Sequence, residues 1–87
     1  VELNLETVDL LELTADSASE AETLGQAQGL KVALEAKDPC LVRADRNRLR
    51  QLLLNVTDNA VKYNRQGGHV HYRVYRDGSQ ACVDIAS

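Results

Sequence analysis

The chain has 87 residues and a mass of 9.6 kDa, which fits one compact domain burying roughly 60–70% of its unfolded surface and excludes a multidomain enzyme. Leu, Ile and Val supply 23 residues, enough to expect folding rather than disorder; no apolar run nears the roughly 18 residues of a membrane span, and no leader-like segment opens the sequence. The net charge of −3 is unevenly spread, with nine acids and two bases in residues 1–38 against four acids and eight bases in residues 39–87, so any anion is expected to meet the second half.

The chain lacks Met and starts at Val1, as expected of a piece of a longer protein. Val1, Leu3 and Leu5 alternate with Glu2, Asn4 and Glu6, the period of a half-buried edge strand. Asp9 then caps a helix predicted over residues 9–28, with Leu10, Leu13, Ala18, Ala21 and Leu24 inward, the acids Glu12, Asp16, Glu20 and Glu22 outward, and Gly29 as its stop. Leu30, Val32 and Leu34 alternate in a second strand. After Asp38-Pro39, residues 40–43 read as a third, expected to pair with the second as a hairpin.

Asp45 caps a second helix whose apolar stripe is read as Leu49, Leu52, Leu53, Val56 and Ala60, ending near Asn64 and Gly67-Gly68. Val70, Tyr72 and Val74 alternate in a fourth strand, and Asp77-Gly78 turns into a fifth carrying Ala81, Val83 and Ile85. The order predicts an α+β domain over residues 1–87, a two-layer α/β sandwich with helices on one face of a mixed sheet. Cys40 and Cys82 stand in no metal or disulfide spacing and read as reduced thiols, while His69 and His71 read as surface residues of a strand.

At 100° per residue, Arg48, Gln51, Asn59 and Lys62 all fall within about 40° of Asn55, so one face of the second helix is polar and uncharged at its centre. Two carboxamides about 6 Å apart along the axis, with a lysine and Tyr63 beyond, suit a magnesium ion and phosphates: an amide oxygen is a hard ligand, and lysine neutralises phosphate charge. A solvated helix face explains the same spacing. Asn is a poor helix former, costing about 0.7 kcal/mol relative to Ala, which favours a functional reason for the pair. Arg43, Arg46, Arg48 and Arg50 raise the alternative of a nucleic-acid module. Asp45 and Asp58 interrupt that cluster, no aromatic side chains interleave with it, and no nucleic-acid partner is expected.

The run from Asp45 to Asn64 (Asp45-x-x-Arg-Leu-x-Gln, then Asn55-x-x-x-Asn59-Ala-x-Lys62-Tyr63) resembles the N box of sensor histidine kinases, and the resemblance extends over the whole chain. It implies the first part of their ATP-binding domain, an incomplete Bergerat (histidine kinase ATPase) fold. It further implies ATP and Mg²⁺ as cofactors, with Asn59 on the metal, Asn55 supporting it and acting in catalysis, Lys62 on phosphate and Tyr63 lining the ribose or phosphate edge. Related ATPases carry Glu where Asn55 stands. A carboxamide is no base near neutral pH, so the implied reaction is γ-phosphoryl transfer to a histidine rather than hydrolysis. The implied partners are a histidine-bearing dimerisation domain of the same protein and a response regulator, and the implied location is the cytoplasm, in many members beneath a membrane anchor. The family's first glycine box, Asp-x-Gly-x-Gly, would follow Ser87. Without it the piece alone is expected to bind nucleotide weakly and to self-associate through an exposed sheet edge. A non-catalytic interaction domain of the same fold is the remaining alternative.

Overall fold

The computed structural model describes residues 4–87, so Val1, Glu2 and Leu3 of the predicted first strand lie outside the described residues. Strand β1 (Leu5–Asp9) leads into helix α1 (Leu10–Leu24), followed by a 3₁₀ turn (Gln26–Gln28) and strands β2 (Lys31–Ala36) and β3 (Leu41–Asp45). Helix α2 (Arg46–Lys62) and the hairpin β4 (His69–Asp77) and β5 (Gln80–Ala86) complete the order. The Cα atoms span 38 × 31 × 15 Å, a slab as thin as one helix layer on one sheet layer.

Both predicted helix caps form. Asp9 Oδ1 accepts the Leu11 N–H at 3.0 Å, and Asp45 Oδ1 accepts those of Asn47 and Arg48 at 3.1 and 3.2 Å, satisfying donors that a first helical turn leaves free. The predicted turn at Gly78 forms too, with φ +62°, a left-handed value that favours glycine. α1 ends at Leu24, four residues short of expectation. At Gly25 the chain turns back, the Gly25 carbonyl accepting from the Gln28 and Leu30 N–H groups at 3.1 Å each, and only glycine fits there: a Cβ would lie 2.6 Å from Leu30 Cδ1. Gly29, at φ +67°, closes the 3₁₀ turn instead, and Leu24 is left exposed rather than buried.

The β2–β3 hairpin does not form. β2 pairs in parallel with β4, β3 pairs antiparallel with β1, and hydrogen bonding divides the strands into a pair β1–β3 and a triplet β2–β4–β5. The reason lies at Cys40, whose N–H donates to Asp9 Oδ1 at 3.1 Å and whose carbonyl accepts from Leu10 N at 2.8 Å. Both backbone groups of the residue after Pro39 are thus taken by the start of α1, which draws the chain away from β2. The stretch from β3 through α2 then serves as the long crossover that a parallel pair requires.

Between the layers, Ala18 and Ala21 of α1 and Val61 of α2 meet Val70 and Tyr72 of β4, while Val8, Leu13 and Leu53 form a second buried group. The small alanines let α1 lie close to the sheet. Among the described residues, the buried polar side chains that join this core are Thr14, Ser17 and Thr57. The Tyr72 and Thr57 hydroxyls are 2.7 Å apart, and the Tyr72 hydroxyl reaches the Ser17 carbonyl at 3.4 Å, so one phenol ties β4 to both helices. Thr14 returns its hydroxyl to the Leu10 carbonyl at 2.8 Å.

This contact also corrects the predicted face of α2. The inward residues are Leu53, Thr57 and Val61, with Leu49 and Ala60 packed at the margin, whereas Leu52 is 58% and Val56 40% exposed. The buried face is centred about 200° from Asn55, rotated beyond the leucine stripe. An apolar count alone leaves out Thr57, which is buried because Tyr72 satisfies its hydroxyl.

Burial raises the pKa of the Tyr72 phenol, partly opposed by the Thr57 hydrogen bond. A raised folded-state pKa means that the stabilisation is complete below the free-tyrosine value near 10 and is lost as pH rises through the folded value. Urea unfolding at stepped alkaline pH should therefore show a steep loss of stability above about pH 10 that Tyr72→Phe reduces. At neutral pH, Thr57→Val should cost about 1–2 kcal/mol by leaving the buried phenol without its nearer partner.

Candidate functional site on the outer face of α2

Because Leu53, Thr57 and Val61 point into the core, the residues half a turn away point to solvent. Asn55, Asn59, Lys62 and Tyr63 are all exposed, as are Arg48 and Gln51 on the same line. Gln51 Nε2 donates to Asn55 Oδ1 at 2.9 Å, which orients the first carboxamide along the helix. Beside this polar line run the exposed Leu52 and Val56, and Tyr63, 76% exposed, ends that strip. The Lys62 ammonium lies 5.4 Å from the centroid of the Tyr63 ring, a cation–π separation that keeps the positive charge and the ring together at the end of the helix.

Tyr63 caps α2 through its N–H, which donates to the Asn59 carbonyl at 3.1 Å. Past it the chain turns into β4 and leaves an open cavity of about 240 Å³ lined by Tyr63, Asn64, Arg65, His69 and Ser87. Of the four residues predicted for the site, Tyr63 lines this cavity. Asn55, Asn59 and Lys62 stand along the helix face leading to it. Asn64, Arg65, His69 and Ser87 carry no site signal in the sequence, where Asn64 reads as a helix stop and His69 as a surface position. Only the approach of the ends of α2 and β5 reveals them together.

A larger open hollow of about 670 Å³ lies elsewhere, between the end of β2 with the connection to β3 (Glu35 to Cys40) and Arg73–Arg76 of β4. Size alone does not make it the site. Its rim carries both signs of charge, and Arg76 is already donating to the Leu41 carbonyl at 2.7 Å. On the outer sheet face His71 Nε2 stands 3.5 Å from Glu35, and Arg73 pairs with Asp84 at 3.2 Å over the Tyr75 ring. Cys40 is buried, Cys82 partly so, and both thiols are free.

At the other end of α2, Asp45 is held below the ordinary carboxylate pKa, chiefly by the Asn4 N–H and then the Arg48 N–H, with the Arg48 charge adding to them. The same carboxylate caps the helix that carries the polar face. Among the described residues no group of three or more His, Cys, Asp or Glu is placed to hold a metal, and no helix is long and apolar enough to cross a membrane.

No protein-family model matches the chain. Similarity to individual proteins is clear. The sensor protein SphS of Synechococcus elongatus is 32% identical over 81 residues, 93% of this chain and 20% of SphS. The circadian input-output histidine kinase CikA of the same organism is 38% identical over 74 residues, 84% of this chain and 10% of CikA. The chain therefore spans a fifth or less of the length of these relatives. Among solved structures, full-length ShkA in complex with AMPPNP superposes with a TM-score of 0.84 at 31% identity, covering 98% of this chain and 19% of ShkA. The catalytic domain of the histidine kinase ThkA superposes with a TM-score of 0.88 at 20% identity, covering 95% of this chain and 57% of that domain.

The depressed Asp45 pKa gives a signed expectation: its contribution is present above the free-carboxylate range and is lost as pH falls through the folded-state value. Asp45→Ala should lower the thermal midpoint at neutral pH and speed amide exchange in the first turn of α2. Asp45→Asn, which keeps a capping oxygen, should retain more of that protection while flattening the acid dependence.

Proposed function

From a chain similar in sequence to sensor histidine kinases and sharing the fold of their catalytic domain, we propose that residues 1–87 form part of the ATP-binding domain of a two-component histidine kinase. The observation that carries this reading is the outward face of α2, where Asn55, Asn59, Lys62 and Tyr63 stand together, free of the core. The reaction is transfer of the ATP γ-phosphoryl to a histidine on a separate dimerisation domain of the same protein, and from there to a response regulator. A structural neighbour, ThkA, is known in complex with a response regulator, and another, ShkA, with AMPPNP. ATP places this domain in the cytoplasm.

The donor set fits magnesium carried by phosphates rather than by the protein. Asn59 offers one hard amide oxygen to solvent, and the described residues supply no carboxylate cage, the arrangement in which Mg²⁺ keeps water and phosphate oxygens as its other ligands. When bound, the ion neutralises phosphate charge. Asn59 would hold it, and Asn55, braced by Gln51, would support it from the preceding turn and act with it in the transfer. Lys62 donates to phosphate oxygens, and Tyr63 presents its ring to the nucleoside side. With a carboxamide at position 55 the face lacks the general base that a hydrolase uses to activate water. Positioning and charge neutralisation then drive transfer.

The chain spans 57% of the ThkA domain, so this reading leaves the remainder of the nucleotide site to residues outside it. Among the described residues, β2 and β5 lie at the two edges of the three-stranded sheet, each paired with β4 alone. We propose that an 87-residue piece self-associates through such an edge and binds nucleotide weakly by itself.

In the full-length kinase, isothermal titration with ATP and Mg²⁺ should show at least a tenfold weaker affinity for Asn59→Ala than for the wild type; unchanged binding removes the metal assignment. Sedimentation of the 87-residue piece at rising concentration should show dimers or larger species, and a single monomeric species throughout counts against the edge contact.

A further inference from the structure

α2 ends without the device that most often closes a helix. Tyr63 follows Lys62 with φ −98°, no non-glycine residue among the described residues has positive φ, and Gly67, the first glycine past the end, stands four residues beyond Tyr63. The direction of the chain past Tyr63 is set instead by one side chain. Asn64 Oδ1 accepts the Arg65 N–H at 2.9 Å, and Asn64 Nδ2 donates to the His69 carbonyl at 2.8 Å, so one carboxamide spans the turn from the end of α2 to the first residue of β4. Gly68 makes room for it, because a Cβ there would collide with Asn64 Oδ1. The Gly67 N–H donates to the Gln28 carbonyl at 2.8 Å and anchors the same turn to the end of the 3₁₀ segment.

We propose that Asn64 is a positioning residue of the nucleotide site, which rests on the reading of the α2 face given above. Acting with Gly68, it fixes the exit of α2 against β4, and this sets where Tyr63, with Lys62 beside its ring, and Arg65 stand at the cavity they border. It touches neither phosphate nor metal in this role. Its effect falls on nucleotide affinity more than on the rate of transfer, because Asn59 and Asn55 lie about one and a half and two and a half turns back along α2, beyond the reach of the turn.

The test measures autophosphorylation kinetics and thermal midpoint on the full-length kinase. Asn64→Ala should raise the KM for ATP about tenfold with kcat within about twofold, and Gly68→Ala, which pushes the carboxamide out from the other side, should move KM the same way. Asn64→Ser, keeping an acceptor for the Arg65 N–H, should fall between Asn64→Ala and the wild type. Val74→Ala, a buried change farther along β4, supplies a control with lowered stability and unaltered KM. A wild-type KM in Asn64→Ala, or an equal rise in KM in Val74→Ala, overturns the positioning role while leaving the nucleotide reading in place. Absence of ATP binding by the wild-type kinase overturns both.

Discussion

The 2.7 Å contact between the hydroxyls of Thr57 and Tyr72 governs how α2 sits on the sheet. A buried hydroxyl without a partner is costly, and here two of them solve each other's problem while the phenol also reaches the Ser17 carbonyl on α1. The bond sets the rotation of α2 about its own axis. With Thr57 at the centre of the inward face, Asn55 and Asn59 fall on the outward one. A helix rolled onto its leucine stripe would bury Leu52 and Val56 and swing Asn59 toward the sheet. The chemistry of the outer face is therefore set from the core side.

Local features of the sequence were readable because they act locally. Asp9 and Asp45 cap the helices they precede, Gly78 sits where the hairpin turns, and the alternation of Val70, Tyr72 and Val74 places those side chains in the core. What depends on distant partners was not. The pairing of β2 with β4 joins Lys31 to His69, and no period within either segment reports it. Likewise Gly25 looks like any helical glycine until Leu30 is seen folded over it. The burial of Thr57 needed Tyr72, fifteen residues on.

The candidate site divides along the same line. Asn55, Asn59 and Lys62 share a helix, so angular arithmetic alone puts them on one face. Asn64, Arg65, His69 and Ser87 come from the end of α2, the start of β4 and the residue after β5, and only the folded chain makes them neighbours. The charge asymmetry follows the architecture as well. The acids of α1 lie on its outer surface, and the basic surplus belongs to the half that holds α2, which suits a face meeting an anionic ligand.

The parallel pairing of β2 with β4 also bears on how the chain is made. During synthesis β2 is complete well before β4 has left the ribosome, and in the interval the edge that β4 will take is unpaired. Closing that pair must wait for the whole of β3 and α2, a non-local step of the sort that slows folding. Until the hairpin arrives, β1 can already pair with β3 and α1 with α2, while the inner edge of β2 stays open.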